Sequence, residues 1–115
     1  MPAELQRQSC QPCAAGTPAL AGAELERLRA QLPQWQVVDG HHLHREFRFP
    51  DFARALAFVN QVGAIAEREG HHPDLELGWG RVSITTFTHS IAGLSRNDFI
   101  LAAKIDAVAP AATQP

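Results

Sequence analysis

The chain has 115 residues, with ten basic against twelve acidic side chains and a formal charge of -2. That length supports one compact core. So balanced a charge excludes the electrostatic footprint of a dedicated nucleic-acid or polybasic membrane binder, and no apolar run approaches the about 20 residues of a membrane span.

The first residues lack the charged-then-apolar layout of a secretory signal, so the cytoplasm is the expected compartment. Residues 1–21 carry Gln, Ala and Pro without sustained periodicity and are expected as a flexible extension before a single domain over 22–109; residues 110–115 are expected as a flexible tail. Cys10 and Cys13 fall in the extension. With no second pair in the chain they make no disulfide framework, and they read as an incidental part of the tail rather than half of a zinc site or a redox pair.

Leu25, Leu28 and Leu32 keep helical spacing and Pro33 stops the run, which predicts a short first helix. "WQVV", an Asp39-Gly40 turn and "HHLHREFRF" predict a hairpin whose odd-numbered face carries Leu43, Phe47 and Phe49, with Arg45 as an interruption. His41, His42 and His44 read as solvated strand residues. Asp51 can cap a long helix running to Glu69, with Phe52, Leu56, Val59, Val62 and Ile65 as its apolar stripe and Gly70 as a left-handed stop. "DLELGWGRVSITTFT" then predicts a second hairpin turning near residues 78–81, with Val82 and Ile84 inward and Trp79 packed at the turn. Ser95 opens a last helix carrying Phe99, Ile100, Ala103 and Ile105. The order α-β-β-α-β-β-α predicts the α+β class: a four-stranded antiparallel sheet with three helices packed on one face.

If the second hairpin turns about residue 80, His89 comes to face the His71-His72 segment. Opposed side chains on antiparallel strands begin about 5 Å apart at Cβ, close enough for imidazoles to converge on one small ligand. Histidine ordinarily titrates near pH 6.5 and so both gives and takes protons close to neutrality. Three readings stay open at this point: solvated histidines around a turn, an acid-base cluster, or a metal site. Adjacent residues make a poor pair of ligands for one zinc ion.

"EREGHHP", followed in order by Trp79, His89 and Asp98, resembles the signature of the pterin-4a-carbinolamine dehydratase family. The likeness extends over residues 25–107 and takes in "THSIAGLSRND" and the "QW" that contains Trp35. It implies dehydration of 4a-hydroxytetrahydropterins to quinonoid dihydropterins, as in tetrahydrobiopterin recycling after aromatic amino-acid hydroxylation, with no metal and no organic cofactor. Carried across at matching positions, His71, His72 and His89 form the catalytic pocket, and Glu67, Pro73, Asp98 and Trp35 are supporting or substrate-binding residues. On that reading His71 and His89 are the acid-base pair and His72 positions the substrate.

The same side chains allow plainer roles. Asp98 completes a Ser-x-x-Asp helix cap with Ser95, Glu67 is a solvated carboxylate at a helix end, and Pro73 restrains His72 to extended backbone. Trp35 is a core aromatic as readily as a wall for a flat ring. Family members are dimers or tetramers, which implies a homodimer or homotetramer here, and open strand edges agree with that. Animal members also serve as a transcriptional dimerisation cofactor, so a scaffolding role is the alternative function. An intact set of three histidines favours retained chemistry.

Overall fold

The computed structural model describes residues 2–110, so positions 111–115 of the expected tail lie outside the described residues. Four helices, four strands and one 3-10 turn follow in order: α1 Pro2–Gln6, α2 Gly22–Ala30, β1 Gln36–Val38, β2 His42–Arg48, α3 Phe52–Glu69, β3 Asp74–Gly78, β4 Arg81–Thr86, the turn His89–Ile91, and α4 Arg96–Val108. From α2 onward this is the predicted α-β-β-α-β-β-α order. The strands form one antiparallel sheet in the order β1-β2-β4-β3, so each hairpin gives one central and one edge strand.

Alternation decides which face of the sheet is covered. Leu43 and Phe47 of β2 and Val82 and Ile84 of β4 are buried, together with Phe58 and Val62 of α3 and Phe99, Leu101 and Ile105 of α4. At about 25 cal/mol per Å² of apolar surface removed from water, each large side chain in this layer contributes about 1.5–3 kcal/mol, and the layer holds helices and sheet together. Arg45 shares that inward parity and is only partly satisfied there, its buried Nε having no hydrogen-bond partner among the described residues. Its Nη1 pairs with Asp106 at 2.8 Å and its guanidinium lies 4.2 Å from the Phe47 ring centroid.

Three expectations are corrected. The apolar stripe of α3 is wider than the arc the sheet covers: Ala55, Phe58, Val62, Ile65 and Ala66 are buried, whereas Phe52 and Leu56 are about 40% exposed. At about 100° per residue Phe52 lies roughly a quarter turn, and Leu56 farther still, from the centre of the buried face. Trp79 is 70% exposed, because a two-residue turn at the tip of the hairpin has no neighbouring element to cover it. Residues 1–21, expected as a loose extension, are seated on the domain in their described part. Leu5 is buried in the core and the amide of Leu20 donates to the Leu94 carbonyl at 2.8 Å.

The second hairpin closes over Trp79-Gly80, with Gly78 opposite Arg81 and Asp74 opposite Thr85. That register is one residue away from the pairing that sets His71 against His89. Gly80 fixes it, since a Cβ there would stand 2.7 Å from the Phe49 carbonyl oxygen, whose own amide donates back to the Gly80 carbonyl at 2.8 Å. The β3–β4 ladder ends at Thr85, opposite Asp74, and His89 reaches the site from the 3-10 turn beyond the strand.

Asp51 caps α3 through a 2.8 Å bond from the Arg54 amide, and Gly70 ends it at φ 67°. This left-handed residue swings the chain from helix into the extended His71-His72-Pro73 segment. A side chain at such φ costs about 1–2 kcal/mol. Gly70→Ala should lose about that much stability in chemical denaturation; an unchanged midpoint and slope would show that the turn can form another way.

Candidate active site

Four pieces of backbone meet at one carboxylate. Ser95 caps α4, and its amide donates to Asp98 Oδ2 at 3.0 Å in a complete capping box. Thr86, the last residue of β4, donates its hydroxyl to Oδ1 at 2.7 Å, and Thr88 donates to Oδ2 at 2.8 Å. The fourth partner is His71, whose Nε2 lies 2.7 Å from Oδ1. Asp98 is fully buried. A carboxylate is acceptor-only, so with Asp98 as acceptor the His71 proton resides on Nε2 and Nδ1 is left with the lone pair. Because Thr88 gives its single proton to Asp98, the 2.6 Å contact between Thr88 and Ser95 has Ser95 as donor, while Ser95 Oγ accepts from the Asn97 amide at 3.2 Å.

The capping role and the histidine-orienting role predicted for Asp98 thus belong to the same two oxygens. His71 is largely buried, whereas His89 is exposed and stacks on Phe87 with 4.2 Å between ring centroids. Thr88 and Gly93 form an isolated bridge around the 3-10 turn, closed by Ala92 at φ 49°, and this knot sets where His89 stands. His72 pairs through Nε2 with Glu67 at 2.5 Å, both side chains lying open to solvent. An exposed pair of this kind adds little stability. His71, His72 and His89 line one cavity of about 550 Å³.

Of the residues expected to support the site, Asp98 contacts His71 and Glu67 contacts His72. Pro73 is half-buried beside them and keeps His72 extended. Trp35 does not reach the cavity. It is 3% exposed in the core, edge-on to Phe47, and its indole N–H donates to Asp106 at 3.0 Å. Burial pushes the Asp106 carboxyl above its ordinary value, and the bonds from Trp35 and Arg45 offset this only in part. His41, His42 and His44 are half-buried rather than solvated, and His41 packs tilted against Phe87 with centroids 4.6 Å apart.

Sequence reasoning missed the residues that come from the N-terminal segment. Cys10, Gln11, Pro12 and Cys13 contribute to the same cavity wall, together with Glu69 and Asn97. Burial, reinforced by the carboxylates of Glu69 and Asp98, pushes the Cys10 thiol up to about 12, so it stays protonated at neutral pH. Its Sγ lies 3.6 Å from the Asn97 carbonyl oxygen.

The family profile described as pterin 4 alpha carbinolamine dehydratase matches residues 18–108. The chain belongs to that family. A relative from Rubrobacter xylanophilus that carries the dehydratase name is 58% identical over 103 residues, spanning 90% of this chain and 96% of its own. Another from Alkaliphilus metalliredigens is 52% identical across 89% of this chain and 93% of its own. Among solved structures, a transcriptional coactivator/pterin dehydratase from Brucella melitensis superposes with a TM-score of 0.76 at 35% identity, covering 81% of this chain and all of that one. A pterin dehydratase-like protein identified as a RuBisCO assembly factor in the alpha-carboxysome gives a TM-score of 0.56 at 29% identity, over 65% of this chain and 86% of that one. The dehydratase family assignment makes this chain a hydro-lyase of the pterin class.

Glu69 ties the N-terminal segment to α3. Burial alone would raise its carboxyl, but the Cys10 amide and the Lys104 ammonium outweigh that and hold it below its ordinary value. Such a group stabilises the fold fully above the ordinary carboxylate range, about 4.3 for Glu, and loses that contribution as pH falls through the folded-state value. The stability difference between wild type and Glu69→Gln should be complete at neutral pH and shrink toward zero with acidification. A difference that is the same at about pH 7 and about pH 3 would show that the charge on Glu69 has no part in it.

Proposed function

We propose that the chain dehydrates 4a-hydroxytetrahydropterins by acid-base elimination, giving quinonoid dihydropterin and water, as in tetrahydrobiopterin recycling. The observation that carries this reading is the His71–Asp98 bond beside a cavity shared with His72 and His89. Elimination needs one group to protonate the departing 4a-oxygen and another to take the N5 proton. The N5–H electron pair becomes the second bond between N5 and C4a, and the C4a–O pair leaves with the oxygen as water.

With Nε2–H held by Asp98, His71 carries its basic lone pair on Nδ1, which suits it to accept the N5 proton. His89, exposed and not held by a carboxylate, suits the acid role because it can be reprotonated from solvent. His72, tied to Glu67, positions the substrate. These roles ask nothing of a metal or an organic cofactor. We further propose a cytoplasmic homodimer or homotetramer, a reading supported by the open β1 and β3 edges and by the exposed Phe52 and Leu56 on one side of α3.

The test is stopped-flow absorbance of enzymatically generated 4a-hydroxytetrahydropterin, with and without a chelator. Wild type should accelerate its decay regardless of chelator, and His71→Ala or His89→Ala should each lower the catalysed rate by about 10²- to 10⁴-fold. His72→Ala should act mainly on KM. Decay at the spontaneous rate with folded wild type would overturn the enzyme reading. Acceleration abolished by the chelator would keep the activity and overturn the mechanism.

A further inference from the structure

The proposed chemistry makes no use of the segment around Cys10 and Cys13, yet the domain grips it residue by residue. Cys10 donates its amide to Glu69 Oε1 at 2.9 Å. Gln11 donates its amide to Asn97 Oδ1 at 2.9 Å and accepts from Asn97 Nδ2 at its carbonyl at 2.5 Å. The Cys13 carbonyl accepts from Ser90 Oγ at 3.3 Å, one residue after His89. The buried Asn97 carboxamide therefore pairs with both backbone polar groups of Gln11, as a neighbouring strand would. Upstream, Arg96 donates to the Gln8 side chain and Lys104 to the Gln6 carbonyl, each at 2.8 Å.

We propose that residues 10–13 are a fixed wall of the pterin site and that Asn97 is the residue that positions this wall. The inference rests on the pterin reading of the cavity and adds a determinant of substrate binding to it. The Cys10 and Gln11 amides and the Gln11 and Cys13 carbonyls are engaged, Pro12 has no N–H, Asn97 Nδ2 also reaches Cys13 Sγ at 3.7 Å and the Gln11 carboxamide turns to the Ser9 carbonyl at 3.4 Å, so the wall presents the Pro12 ring and two thiols beside one neutral amide. These are weakly polar, polarizable groups that suit the face or edge of a flat heteroaromatic ring and reject a charged one. The wall brings no carboxylate, imidazole or cation. Its part is contact with the ring, made alike to substrate and transition state, so its loss belongs in KM rather than kcat.

The experiment uses full-length wild type, Asn97→Ala and Asn97→Asp. KM and kcat are measured for 4a-hydroxytetrahydropterin, and alkylation of Cys10 and Cys13 by iodoacetamide is followed site by site, with and without a dihydropterin. Asn97→Ala loses both bonds to Gln11 and should raise KM about tenfold with kcat little changed; Asn97→Asp, which keeps the acceptor, should raise it less. Cys10 should label slowly in wild type and about tenfold faster in Asn97→Ala, and dihydropterin should slow labelling of Cys13 in wild type. Should Asn97→Ala fail to fold, the KM of Asn97→Asp and the protection of Cys13 decide the matter. Wild type that neither dehydrates the substrate nor protects Cys13 overturns the pterin reading. Wild type that dehydrates it, while Asn97→Ala frees Cys10 without moving KM, overturns the wall alone.

Discussion

Burying a carboxylate costs several kcal/mol unless its lone pairs are filled, and Asp98 is buried completely. The fold answers with one donor from each of four places: the segment after α3, the end of β4, the loop beyond it and the cap of α4. Each bond ties down a different piece of chain at this end of the domain. The imidazole proposed as the base is one of the four, so the interaction that closes this end of the domain is also the one that sets the orientation and tautomer of His71.

The opposite end of α4 repeats the arrangement with different chemistry. Asp106 receives Trp35 and Arg45, and Arg45 lies over Phe47. Here the pairing does not fully offset desolvation, since the carboxyl is still pushed above its ordinary value. The Trp35 indole and one Arg45 guanidinium nitrogen both reach the same oxygen, Asp106 Oδ1, whereas Asp98 has donors on both oxygens. One acid secures the packing of α4 against the first hairpin, and the other secures a site.

What could be read from the sequence was local or periodic. The Asp51 cap, the Gly70 stop, the Ser95-x-x-Asp98 box and the inward parity of Val82 and Ile84 all follow from spacing within one element. The hairpin register escaped by one residue because it depends on how Gly80 lies against the Phe49 backbone, a contact between strands distant in the sequence. Trp35 and Arg45 could not be placed, since their partner Asp106 is 71 and 61 residues away and no period connects them. The seating of residues 5–13 was invisible for a related reason. Apart from Leu5, the Arg96–Gln8 bond and the Asn97–Cys13 contact it is built from backbone groups meeting side chains, and backbone groups leave no mark in a pattern of residue types.

The two imidazoles proposed as acid and base differ in their freedom, and that difference suits an elimination that must turn over. His71 is fixed by a buried acceptor, so its proton does not wander between ring nitrogens and its lone pair is presented from the same atom at every cycle. His89 leans tilted against Phe87 and is carried by the turn, with solvent at hand to restore its proton. Two equally buried rings would be slow to reset, and two equally exposed rings would be poorly aimed. Asp98 separates the cases by binding one ring and leaving the other alone, so its position at the start of α4 determines which histidine can serve as the base.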